Sequence, residues 1–138
     1  MSELNQGRSQ GALVCTSVNL DAGNFEKTNL LFVFGGHDQI KCLNTCEVYN
    51  MKDDKWKPIP SMHEPKRGCG AAVHNDSNSI YIVGGTNGTQ SLKSVEIYNV
   101  LTHKWTRGPE LNIARTNVAI AFIGMKVFSY LIEFRVNK

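Results

Sequence analysis

The sequence predicts an all-β chain made of a repeated four-stranded unit, and three observations carry that prediction. An apolar run enters a glycine pair twice, as Leu-Phe-Val-Phe-Gly-Gly at 31–36 and as Tyr-Ile-Val-Gly-Gly at 81–85. Glu-Val-Tyr-Asn at 47–50 returns as Glu-Ile-Tyr-Asn at 96–99, and Lys55-Trp56 returns as Lys104-Trp105. Gly36 to Gly85, Glu47 to Glu96, Tyr49 to Tyr98 and Trp56 to Trp105 all hold one offset of 49 residues. A period of this size marks a stacked array or a propeller. The structural landmarks of the two copies are thus Gly35, Gly36, Glu47, Tyr49 and Trp56, then Gly84, Gly85, Glu96, Tyr98 and Trp105.

Each element follows from its residues. Residues 1–7 are polar and read as a flexible lead-in. Residues 11–18 mix small and apolar side chains and read as a strand; 19–29 is a polar loop with Asp21, Gly23 and Asn24. Residues 30–34 are apolar at every position, which suits a strand covered on both faces. A loop at 37–43, a strand at 45–49, a turn at 50–54 and a short strand at 55–59 complete the unit. Pro58 and Pro60 place that last strand at a sheet edge, where a missing amide is tolerated. The same strands return at 69–74, 79–83, 94–98 and 104–107, with turns at 75–78 and 100–103 and the longer loop at 86–92. A third round begins at 116–123 and 126–128, then loses the pattern.

Four short antiparallel strands cannot bury both faces of their own sheet. Radial stacking on like neighbours solves this, and the result is a β-propeller. Gly68, Gly70, Ala71, Ala72, Ala119 and Ala121 fit innermost strands that crowd an axis. The tyrosine and tryptophan of each copy supply the large faces packed between blades.

The totals exclude several classes. The formal net charge is only +3, with no long basic run, which argues against a nucleic-acid binder. The first ten residues lack the apolar stretch of a signal peptide, and no stretch is long enough to span a bilayer. Cys15, Cys42, Cys46 and Cys69 therefore read as reduced thiols, and the expected location is cytoplasmic, with cytoskeleton or nucleus as variants.

The apolar strand into Gly-Gly, the Glu-Val/Ile-Tyr, the tryptophan, and Met62 or Leu111 four residues before Lys66 or Arg115 together resemble the Kelch-repeat family. Within it, the sequence is similar to the Kelch-like proteins that carry a BTB domain ahead of a propeller. The resemblance covers residues 8–128, read as a blade at 8–63, a blade at 64–111 and a partial blade at 112–128, with a divergent tail at 129–138. The expected fold is an incomplete Kelch β-propeller: two full four-stranded antiparallel blades plus part of a third. Propellers close with about four to eight blades, so these repeats do not close a ring alone, and no BTB pattern is present. The expectation is a truncated product whose last residues do not belong to the repeat.

The resemblance implies a non-enzymatic protein-interaction module whose partner-binding face is formed by two sets of loops. The loop before the innermost strand carries Arg8, Lys66, Arg67 and Arg115; the loop after Gly-Gly carries His37, Asp38, Gln39, Asn87, Thr89 and Gln90. Guanidinium groups suit an acidic peptide segment, because they pair with carboxylates in a bidentate fork. A second reading of the repeated cation stands beside it: a structural side chain bonded to neighbouring loop carbonyls. In Kelch-like proteins the partner is a substrate of a cullin-3 ubiquitin ligase or, alternatively, actin.

No residues are assigned to catalysis. Glu47 and Glu96 sit in different blades, whereas two-carboxylate chemistry needs them within about 10 Å. Their expected role is structural. His37, Cys42 and Cys46 have no second thiol pair at zinc spacing, so no metal or cofactor is expected. A propeller oxidase would need His, Tyr and Cys on the axial strands, which here offer mainly Gly, Ala and Val.

Overall fold

The computed structural model describes residues 1–21, 23, 25–74, 77–123, 126–129 and 132–135, with side chains described as far as residue 122. The first sheet runs β1 (Ala12–Val18), β2 (Thr28–Phe34), β3 (Cys46–Asn50) and β4 (Lys55–Ile59) in that spatial order. The second repeats it with β5 (Gly70–His74), β6 (Ser79–Val83), β7 (Val95–Asn99) and β8 (Lys104–Arg107). The third contains β9 (Ile120–Ile123), β10 (Lys126–Ser129) and β11 (Ile132–Arg135). All pairings are antiparallel. Among the described residues there is no α-helix, so the all-β blade architecture is as the repeat predicts.

The registers show why the spacing is so regular. Tyr49 lies opposite Trp56 and Tyr98 opposite Trp105, with ring centroids 5.3 Å and 5.0 Å apart. Phe32, Phe34 and Cys46 of the first blade meet Ile80, Ile82 and Tyr98 of the second in one core. Phe34 sits edge-on to Trp105 at 5.8 Å and to Tyr98 at 6.3 Å. Burying one such ring contributes about 2–3 kcal/mol, and its aromatic contacts add about 0.5–1.5 kcal/mol. The alternate residues of the second blade, Tyr81, Val83 and Val95, pack on Val118, Ile120 and Phe122 of the third. Because side chains alternate between faces, the second blade is glued on both sides, which is why β6 is buried throughout.

The innermost strands lie side by side, β1 against β5 and β5 against β9. Gly70 shows how close they come. A Cβ there would sit 2.4 Å from Ile120 Cγ2 and 2.7 Å from the Val118 carbonyl oxygen. The Gly-Gly pairs have a related role. Gly35 and Gly36 take φ of 59° and 104°, and a Cβ on Gly35 would lie 2.2 Å from the Lys66 carbonyl oxygen. The Gly36 amide instead donates to that carbonyl at 2.7 Å, and Gly85 N–H repeats the bond to Arg115 at 2.7 Å. Each glycine pair therefore seats the segment leading into the next blade.

Three expectations change. Residues 1–7 are not a free lead-in: Ser2, Asn5 and Gln6 are bonded to the first sheet, as set out below. The strand expected from 116 begins only at Ile120, because Asn117 takes φ of 54° and breaks the extended backbone. The tail expected to leave the repeat returns to the third sheet instead, with Lys126↔Arg135 and Ser129↔Ile132 in register. Its Ile-Glu-Phe-Arg alternates apolar and polar residues, the period of a strand. Residues 130, 131 and 136–138 of that tail, and 75 and 76 of the expected turn, lie outside the described residues.

Candidate interaction face

The segment before each of the first two blades forms a strap across it. Trp56 Nε1–H donates to the Ser2 carbonyl at 3.1 Å, and Trp105 Nε1–H to the Pro60 carbonyl at 2.7 Å. Three residues further along the strap, the blade's buried glutamate is gripped. Glu47 accepts from the Asn5 amide at 2.9 Å and from Asn5 Nδ2 at 2.8 Å. Glu96 accepts from the His63 amide at 2.6 Å and lies 2.8 Å from His63 Nδ1. The strap ends at the repeated cation. Arg8 donates to the Gly35 and Thr45 carbonyls and to Glu47 Oε1, each at 2.8 Å. Lys66 Nζ reaches Ser94 Oγ, Glu64 Oε1 at 3.1 Å and Glu96 Oε2 at 3.8 Å.

The side chain of Arg8 is 2 % exposed and that of Lys66 is 0 % exposed. Neither presents its charge to a partner, which corrects the partner-binding role expected for them. A fork of donors serves two carbonyls and a carboxylate at once, whereas the lysine offers a single ammonium and recruits a serine and a second glutamate instead. Burial works to raise the pKa of Glu47, but the bonds from Asn5 and Arg8 outweigh it and hold the carboxyl below its usual range. Glu64 is lowered in the same way, burial opposing and the bonds from Ser94 and Lys66 prevailing.

The other expected face residues are on the surface. Arg67 and Arg115 are half-buried; their backbones bridge Thr86 and Leu92 respectively. The two loops after the Gly-Gly pairs share one scaffold. Asp38 Oδ1 accepts from the amides of Ile40 at 3.1 Å and Lys41 at 2.9 Å; Asn87 Oδ1 accepts from those of Thr89 and Gln90, both at 3.0 Å. The Lys41 amide is the main reason the Asp38 carboxyl sits below its usual range. The loops touch: a Cβ on Gly88 would lie 3.5 Å from Cys42 Sγ. Gln39, Thr89 and Gln90 are exposed, and His37, Asp38 and Asn87 half-exposed. Beside the loops lie a cleft of about 430 Å³ lined by Gly7, Ser9 and His37 and one of about 390 Å³ lined by Lys93, Arg107 and Glu110.

His37 Nδ1 is occupied as an acceptor by the Gln39 amide at 3.0 Å, and Cys46 lies buried with its Sγ 3.4 Å from the Asn44 carbonyl. Burial pushes the Cys46 thiol up to about 12 and the Cys69 thiol up to about 11. Both are poor nucleophiles and poor ligands in that state.

Sequence reasoning missed Asn5, Ser2 and His63 as blade fasteners. One signal was present: Leu4 precedes Arg8 by the interval that separates Met62 from Lys66 and Leu111 from Arg115. It also passed over Ile40, a single apolar residue in a polar loop.

Repeated sheets packed face to face, the first two strapped by the segments that precede them, define a radial-blade repeat protein. The Kelch motif matches residues 28–63 and 67–112, more than half of the chain. The chain belongs to the Kelch-repeat family. No curated protein matches it significantly.

Proposed function

We propose that this chain is a non-enzymatic protein-interaction module that receives a protein partner on the face made by residues 37–42 and 86–91. Kelch repeats generally mediate protein–protein binding. The observation that carries the reading is the pair of touching loops: one hydrogen-bonded scaffold, used twice, with different side chains on the outside. A rigid base with variable tips is how scaffolds present binding residues. Within the Kelch-like proteins this face corresponds to the substrate-holding side of a cullin-3 ubiquitin-ligase adaptor, the part such a chain can supply.

The test is affinity capture on the purified chain and on a variant with residues 38–41 and 87–90 replaced by Gly-Ser linkers, read by mass spectrometry. Proteins captured by the wild type and lost by the variant are expected, and ubiquitin-ligase substrates among them support the adaptor reading. Co-sedimentation with filamentous actin, lost in the same variant, replaces it with the cytoskeletal one. An identical set on both proteins removes the loop face from consideration.

A further inference from the structure

The two loops share their backbone but not their chemistry, and the differences all fall on the first. Position by position, His37 stands where the second loop has Thr86, Gln39 where it has Gly88, Ile40 where it has Thr89, and Lys41 where it has Gln90. In the second loop the Thr86 hydroxyl is satisfied internally. Thr86 Oγ1 donates to the Gln90 carbonyl at 2.7 Å and accepts from the Gly88 amide at 3.1 Å.

The first loop keeps the Asp38 bonds, but its histidine is served on one ring nitrogen only. The Gln39 amide donates to His37 Nδ1 at 3.0 Å, so the neutral ring carries its proton on Nε2, as a donor with no loop carbonyl to serve. Gln39 takes φ of 78° without being glycine, a conformation that side chains resist. The result is an isoleucine 88 % exposed at the loop tip. Scattered exposed apolar residues are ordinary, but this one is held out by a strained residue, beside an uncommitted donor and an exposed lysine. Nothing within the fold uses that combination, and local rules are broken at functional positions.

We propose that loop 37–42 is the anchoring half of the face, and that it takes a protein segment carrying a carboxylate next to an apolar side chain. The acid meets His37 Nε2–H and the Lys41 ammonium, and the apolar group covers Ile40. Charge favours this occupant. Lys41, Lys93 and Arg107 are exposed, and the acids beside them are Glu110, Asp38, whose Oδ1 is already taken by two backbone amides, and Glu64, whose Oε1 is already held by Lys66 and Ser94. Loop 86–91 then lies alongside as a polar rail. This inference rests on the interaction-module reading and adds to it the partner's chemistry.

The experiment pans a phage-displayed random dodecapeptide library on the immobilised full chain, then titrates the enriched peptide by fluorescence anisotropy. The expected consensus has Asp or Glu adjacent to Leu, Ile, Met or Phe. Ile40→Thr, His37→Thr and Lys41→Gln, which copy the second loop, each weaken binding about tenfold, as truncating an anchor does. Thr89→Ala, on the rail, weakens it less than any of these, and Lys57→Gln on β4, outside both loops, leaves it unchanged. All five substitutions are at exposed or half-exposed positions, and tryptophan emission checks that the fold is kept. A consensus without an acid, or binding lost with Thr89→Ala and kept with Ile40→Thr, overturns the anchoring loop while leaving an interaction module. A wild-type chain that enriches no peptide overturns both.

Discussion

Arg8 Nη2 and Glu47 Oε1 lie 2.8 Å apart with side chains only 2 % and 5 % exposed, although 39 residues separate them in sequence. The pair fastens the strap to the first blade. Removing one member of a buried pair strands the other and costs about 3–5 kcal/mol. Arg8→Met should therefore destabilise the chain by about 3 kcal/mol, since Asn5 and Gln6 still bond Glu47. Urea unfolding followed through Trp56 in a Trp105→Phe background measures it. Adding Glu47→Gln should recover part of the loss; strict additivity would show that the two side chains do not act as a pair.

Acid should weaken the same fastening. Glu47 and Glu64 titrate below the usual value of 4.5 in the folded chain. The unfolded chain therefore takes up protons first, and the stability these carboxylates add is complete above that value. It is lost as pH falls through the folded pKa values. Urea midpoints should hold from pH 7 to about 5 and drop steeply below about 4.5. In Arg8→Met the drop should be shallower, because one support of the lowered Glu47 is gone.

The strain at Gln39 has its own signature. Gln39→Gly should raise stability by about 0.5–1 kcal/mol, since glycine accepts positive φ freely and loses part of that gain to its greater unfolded entropy. The reverse change, Gly88→Gln, should lower stability by a similar amount. Thermal melts of the two variants check the opposite signs.

The four cysteines should separate into two classes. Cys15 is exposed and Cys42 half-buried, whereas Cys46 and Cys69 are buried with raised pKa values. Iodoacetamide at neutral pH should modify the first two in the native chain and the second two only after denaturation, as peptide mass mapping reports. Native labelling of Cys46 would mean that the core between the first two blades opens readily.

The repeat made the strands legible because each depends on its own residues: an apolar run, a glycine pair, an alternating Glu-Val-Tyr. The straps were not legible, because Ser2 and Asn5 have meaning only through Trp56 and Glu47, which lie far along the chain. Composition also cannot say whether a repeated cation points inward. Arg8 and Lys66 read equally as bait for an acidic partner or as bolts, and only their enclosure by carbonyls and carboxylates decides. Ile40 was invisible for the opposite reason: one apolar residue has no period, and its place opposite Thr89 emerges only when the loops are laid over one another.

The straps give the repeat a direction. Each lies on the N-terminal side of the blade it fastens, so during synthesis the fastening residues leave the ribosome before the sheet that needs them. A newly made blade meets a waiting Asn5 or His63 and can be secured without anything downstream. The chain is thereby suited to growing one blade at a time in the N- to C-terminal direction, each finished blade offering an apolar wall on which the following one condenses.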